Sequence, residues 1–139
     1  MSAKRGAIVT GVDPSEEMLR VARFLTRSRD VRFAKGSAES VALPDESAAI
    51  VWTIASVHHW SDVESGVREV CRLLRPGGRF VAIERHTNPG AHGLGSHGWT
   101  EQQAQAFANL CAEQGLGDVA IETDRQRRRE VICVVSRKR

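Results

Sequence analysis

Asp13 and the two histidines at 58 and 59 are the residues whose surroundings best suit chemistry. Asp13 closes the apolar run AIVTGVD and stands directly before PSEEMLRVA, a helical segment. In an open parallel sheet, ligands sit beyond the carboxyl ends of the strands. A carboxylate at such an end can accept hydrogen bonds from both hydroxyls of a ribose. Asp13 could instead cap the helix, with Pro14 at its first position and Glu16 completing a capping box. On this motif alone both roles stay open. GSAES, residues 36–40, follows the next strand and could set a backbone N–H and a small polar side chain against an adenine edge. ASVHHW, residues 55–60, follows the most apolar strand, so its start would face the reacting part of a cofactor. His58 and His59 could donate, accept or relay a proton near neutral pH. The plainer alternative puts one histidine in solvent and packs the other under Trp60.

Other features point to less. GLGSHG, residues 93–98, matches G-x-G-x-x-G, but the strand before it ends well upstream, where a dinucleotide fingerprint needs a tight strand-to-helix turn. A loop is expected. His86, His92 and His97 in the same region match no familiar ligand spacing, so no metal is expected and a substrate-facing loop is. Cys71, Cys111 and Cys133 are far apart, odd in number and on apolar faces, which predicts buried free thiols. The net charge of +3 gathers near the C-terminus in Arg125, Arg127, Arg128, Arg129, Arg137, Lys138 and Arg139. Without interleaved aromatics or a reading helix, that patch predicts a solvated hairpin tip and tail rather than a nucleic-acid interface. No apolar run approaches the ~20 residues that span a bilayer, and MSAKRGAIV has no cleavage signal. A cytoplasmic location is expected.

The elements that would position these residues alternate. Residues 7–12 are rich in β-branched side chains and predict a strand. The helix after it carries Met18, Val21, Ala22 and Leu25 at i, i+3, i+4, i+7, an apolar face. Residues 31–34 predict a short strand, and residues 48–55 (AAIVWTIA) one buried on both faces. Val63, Val67, Val70 and Leu74 form a second helical stripe, with Glu64 and Arg68 paired outside. RPGG at 75–78 stops that helix and leads into a strand over 79–84. Thr100 and Gln103 predict a capping box for a helix through Glu113, and Gly115 its stop. Residues 119–123 and 131–135 predict a final pair of strands. The 139 residues suffice for one domain. The order β-α-β-(α)-β-α-β-α-β-β means an α/β fold, a mostly parallel sheet closed by an antiparallel hairpin.

Taken in order, VTGVDPSEEMLRVA, FAKGSAESVALPDESAAIVWTIASVHHW and EVCRLLRPGGRFVAIE resemble the class I S-adenosylmethionine-dependent methyltransferases. The similarity is greatest to the small-molecule, type-11-like branch that includes the quinone-biosynthesis C-methyltransferases, and the tail HGWTEQQAQAFANLCAEQGLGDV extends it. The resemblance implies a Rossmann-like sheet, S-adenosylmethionine as cofactor and a small-molecule methyl acceptor. It implies that Asp13 binds the ribose hydroxyls, with Pro14 and Ser15 following it beside the adenine. Ser37 stands where many members carry an Asp toward the adenine amino group, a departure, and Ala38 matches a backbone contact to the ring. Ala55 and Ser56 match the strand end beside the methionine part, and His59 a frequent histidine near substrate.

The larger departure is at the start. Members begin with a strand, a D-x-G-x-G-x-G type loop and a helix, roughly 30 residues, and MSAKRGAIVTG resembles the end of that helix running into the second strand. The first strand would lie at the centre of the sheet, between those at 7–12 and 48–55. Without it, those two are expected to pair directly or to accept a strand from elsewhere, because buried unpaired backbone groups cost about 1–3 kcal/mol each. A natural protein longer than this chain, a remnant that has lost methyl transfer, and a homodimer that rebuilds the sheet all remain open; the first accounts best for the intact downstream motifs. Beside methyl transfer stands a second expectation, a non-catalytic interaction module on the same scaffold.

Overall fold

The computed structural model describes residues 6–93, 97–126 and 129–139. The chain divides into two compact units, Met1–Ala42 and Leu43–Arg139. In the first, β1 (Val9–Asp13) and β2 (Val31–Lys35) pair in parallel, from Val9 opposite Val31 to Asp13 opposite Lys35. Parallel strands need a crossover, which α1 (Glu16–Leu25) supplies. Ser15 caps α1 by accepting the Met18 N–H. The helix packs on β1 and β2 and buries Leu19 to 1% exposure. The stripe expected from periodicity is not the face it buries: Met18, Val21 and Leu25 remain 57%, 51% and 73% exposed. A sheet of two strands is too narrow to cover a whole helical stripe.

The second unit holds a four-stranded sheet ordered β3-β4-β6-β5, with β3 at Ala48–Ile54, β4 at Leu74–Arg85, β5 at Leu116–Gln126 and β6 at Arg129–Lys138. β3 and β4 are parallel, joined through α2 (Val63–Leu73); β6 is antiparallel to both β4 and β5. Asp62 caps α2, and Arg68 bonds Glu64 at 2.8 Å as the spacing predicts. The Thr100–Gln103 capping box opens α3 (Glu101–Glu113). β4 begins at Leu74 and takes in RPGG, with Gly77 at φ 79 supplying the irregular step. No helix forms between β2 and β3. The core gathers Val67, Val70, Leu74, Phe80, Phe107, Ile132 and Val134. Phe80, Leu74 and Ile132 are at most 1% exposed, and burying each contributes roughly 1.5–3 kcal/mol.

Among the described residues β1 pairs with β2 and β3 with β4. One expectation is corrected by the second sheet: β3 is not buried on both faces. Ile50, Trp52 and Ile54 line one face at 52%, 42% and 61% exposure, because none of the described residues of the second unit packs there; Val51 and Thr53 point the other way and are half-buried. The three cysteines are free thiols as expected, Cys111 buried and the others half-buried. Burial pushes the Cys111 thiol up to about 12. Among the described residues, no helix is long and apolar enough to cross a membrane.

Candidate functional site

The predicted site residues fall into two groups, one in each unit. In the first unit, Asp13 ends β1 half-buried. Its Oδ1 accepts the Ser15 N–H at 2.7 Å, while Oδ2 has no partner among the described residues. The cap of α1 is Ser15, not Asp13, which leaves the carboxylate at the strand end. The Asp13 carbonyl accepts the Gly36 N–H at 3.2 Å, and that bond ties the GSAES turn to the same end of the sheet. Ser37 and Ser40 then close a tight bridge. A Cβ on Gly36 would lie 3.1 Å from the Ser40 carbonyl, so a larger residue there would have to push the turn open by a few tenths of an ångström. Asp13, Ser15, Ser37 and Ala38 thus surround the carboxyl end of β1 and β2, a carboxylate beside a turn of small residues. That donor set fits the adenosine part of S-adenosylmethionine.

The second group is built on the end of β3. Ala55 takes a left-handed backbone, φ 51, a strained setting for a residue with a Cβ. Its N–H is held by the Ile83 carbonyl at 2.8 Å. The bend turns the chain into a single 3-10 turn, Val57–His59. Ser56 Oγ accepts the Trp60 indole N–H at 3.0 Å, and Trp60 lies against Gly66, where a Cβ would run into the ring. Beneath this turn sits Glu84, 1% exposed, near the end of β4. One carboxylate oxygen accepts the Val57 N–H at 2.8 Å and the other meets His58 Nδ1 at 2.8 Å. A buried carboxylate survives when its oxygens are hydrogen-bonded, and both are. Since a carboxylate only accepts, His58 donates Nδ1–H to it, and in the neutral ring the lone pair is then on Nε2.

The plain alternative for the histidines holds in one half only: His59 is exposed, its ring centroid 3.9 Å from that of His58, but His58 is held by Glu84 rather than packed under Trp60. Sequence reasoning missed Glu84. The signal was a lone carboxylate ending the apolar strand FVAIE, since charged residues are almost never fully buried unless paired. Beside His58 opens an apolar cleft of about 390 Å³, walled by Val57, Trp60, Trp99, Phe107 and Leu110. The expected substrate-facing loop divides: His86 pairs with Glu130 at 3.2 Å, whereas His97 comes to His58 and His59. Of the GLGSHG stretch, residues 94–96 lie outside the described residues, as do Arg127 and Arg128 of the basic tip.

Comparison with known proteins places the chain in a family. The model of a methyltransferase domain matches residues 1–82, more than half of the chain. An uncharacterized methyltransferase of Bacillus subtilis, YcgJ, is 40% identical over 79 residues, 55% of this chain and 31% of its own. The 27-O-demethylrifamycin SV methyltransferase of Amycolatopsis mediterranei is 30% identical over 125 residues, 87% of this chain and 42% of its own. The crystal structure of the Bacillus YcgJ protein superposes with a TM-score of 0.69 at 20% identity, covering 94% of this chain and 82% of that one. The chain therefore spans less than half the length of these two curated relatives. With the fold of its solved neighbours and the family model over its N-terminal half, the chain belongs to the methyltransferase-domain family.

Proposed function

We propose that the chain serves methyl transfer from S-adenosylmethionine to a small, largely apolar acceptor. The observation that carries this is the Asp13 carboxylate at the end of β1, on a residue whose backbone carbonyl accepts the Gly36 N–H of the GSAES turn. When bound, the cofactor supplies a methyl group already activated on a sulfonium. Asp13 would accept the ribose hydroxyls, with Pro14 and Ser15 following beside the adenine and Ser37 and Ala38 at its edge. Ala55 and Ser56, at the bend after β3, would border the methionine part. The protein's share is then mainly positioning, worth up to ~7–11 kcal/mol in favourable cases.

His58, oriented by Glu84, is the group arranged to take a proton from the acceptor at Nε2, with His59 beside it. Such a base contributes about 10²–10⁴-fold where the acceptor must lose a proton. The aromatic walls of the cleft suit a flat, apolar molecule, and one relative carries a small-molecule acceptor in its name. The free thiols accord with the cytoplasm. Calorimetric titration of S-adenosylhomocysteine into the chain tests the cofactor site. Removing a charged acceptor costs about 1.5–3 kcal/mol, so Asp13→Ala should weaken binding about 10- to 150-fold. Equal affinity in the mutant would refute the site as drawn.

A second reading rests on one observation. The exposed row Ile50, Trp52 and Ile54, on a strand whose outer edge is unpaired among the described residues, suits an interaction module or a homodimer. It predicts self-association without cofactor binding, which sedimentation velocity with and without S-adenosylhomocysteine would separate from the first.

A further inference from the structure

The sequence spreads its histidines over loops that share no ligand spacing, yet the fold brings three of them to one point. A ring nitrogen of each of His58, His59 and His97 lies within 4.8 Å of the others. We propose that these three histidines, of which Glu84 orients His58, bind one divalent transition-metal ion of the zinc type. The proposal does not depend on methyl transfer and would hold for a non-catalytic protein.

Three lines of structure support it. Imidazole nitrogens suit zinc, copper and nickel, and three of them are the protein's share of an open zinc site, a fourth position being left for water or a ligand. The spacing is within reach. At a zinc–nitrogen distance of about 2.0 Å, tetrahedral ligands stand about 3.3 Å apart. His59 and His97 are exposed side chains, the second on a loop, and can close that gap by small rotations. The last line is Glu84. Metal-ligating histidines usually give their other ring N–H to a carboxylate, which fixes the tautomer and the ring. Glu84 does this for His58 at 2.8 Å while buried and while its second oxygen is anchored to the Val57 N–H. A buried carboxylate held from both sides is a built orienter for a ligand.

His58 is also a wall of the apolar cleft. An ion on the trio would therefore stand at the cleft's rim, with its open position available to an oxygen or nitrogen donor of a molecule seated there. The ion and an acidic proton would compete for one lone pair, the Nε2 of His58. In the metal-loaded protein His58 is a ligand and not a base.

The test is titration of the whole chain with zinc ion alone by calorimetry, and with cobalt(II) followed by its visible spectrum. The expected result is one equivalent bound at sub-micromolar affinity, with the intense visible bands of four-coordinate cobalt. His97→Ala, which removes an exposed loop side chain and leaves the core intact, should weaken binding at least tenfold. Glu84→Gln should weaken it about 10- to 100-fold by removing the carboxylate that fixes the His58 ring, and His92→Ala, in the same loop but outside the trio, should leave it unchanged. No binding at micromolar zinc would overturn the proposal. So would binding that His97→Ala leaves intact, or that His92→Ala reduces equally. S-adenosylhomocysteine affinity is read separately, so failure of the metal site and failure of the cofactor site are told apart.

Discussion

Glu84→Gln separates what Glu84 does for the fold from what it does for His58. Glu84 accepts two hydrogen bonds, from the Val57 N–H and from His58 Nδ1, each at 2.8 Å. Glutamine keeps the shape. Its carbonyl oxygen can still accept the Val57 N–H, so only the charge assistance is lost there. Bonds to charged groups contribute about 1.5–3 kcal/mol and neutral ones about 0.5–1.5 kcal/mol, a difference of about 1 kcal/mol. Against this, glutamine no longer has to keep a full charge out of water. The net change should be at most about 1 kcal/mol, roughly 4 °C in Tm at this size. Glu84→Ala is different. It leaves the Val57 N–H buried, on a residue 2% exposed, without a partner, at about 1–3 kcal/mol, plus the cavity. The effect of Glu84→Gln on His58 is qualitative. The amide NH₂ now donates toward Nδ1, so the imidazole proton must move to Nε2 and the lone pair there disappears. Two-bond ¹H–¹⁵N spectra read the tautomer directly. An Nδ1–H tautomer in the wild type and Nε2–H in the variant, with near-normal stability, is the expected pair. The same tautomer in both proteins, or a loss of several kcal/mol, would refute the claim that Glu84 orients His58.

Gly66→Ala drives a methyl into the Trp60 ring; overpacking costs about 1–3 kcal/mol, helix propensity returns about 1 kcal/mol, and urea unfolding should show a net loss of up to about 2 kcal/mol with altered tryptophan fluorescence. Unchanged stability would mean that Trp60 moves freely. Cys111 holds its proton more tightly folded, about 12, than at its ordinary 9.0. It therefore adds nothing to pH dependence below pH 9, and above it stability should fall by up to about 1.4 kcal/mol per pH unit; Cys111→Ala should show a shallower alkaline slope in pH-dependent denaturation. Trp52→Lys with Ile54→Lys should lower self-association in sedimentation while changing stability by only about 0.5 kcal/mol per site, and unaltered association would exclude that face as an interface.

Local order was legible in the sequence because local interactions set it. The Thr100–Gln103 capping box, the Glu64–Arg68 pair and the hairpin of β5 and β6 formed where residue type and spacing predicted. Asp13 was legible as a strand-end carboxylate for the same reason, although its competing role as a cap was settled only when Ser15 took that place. Burial was a different matter. Periodicity marks an apolar face but not whether anything covers it. The stripe on α1 and the row on β3 are apolar in sequence and exposed in the fold, since coverage depends on how many strands and helices pack on each sheet. The sequence by itself determined the order of elements, their caps and the family's strand-end motifs, all of which depend on residues near one another in the chain. Only the tertiary structure decided that Glu84 lies under Val57 and His58, and that His97 meets His58 and His59. Those contacts join residues on separate strands and loops, and no spacing along the chain encodes a distance across it.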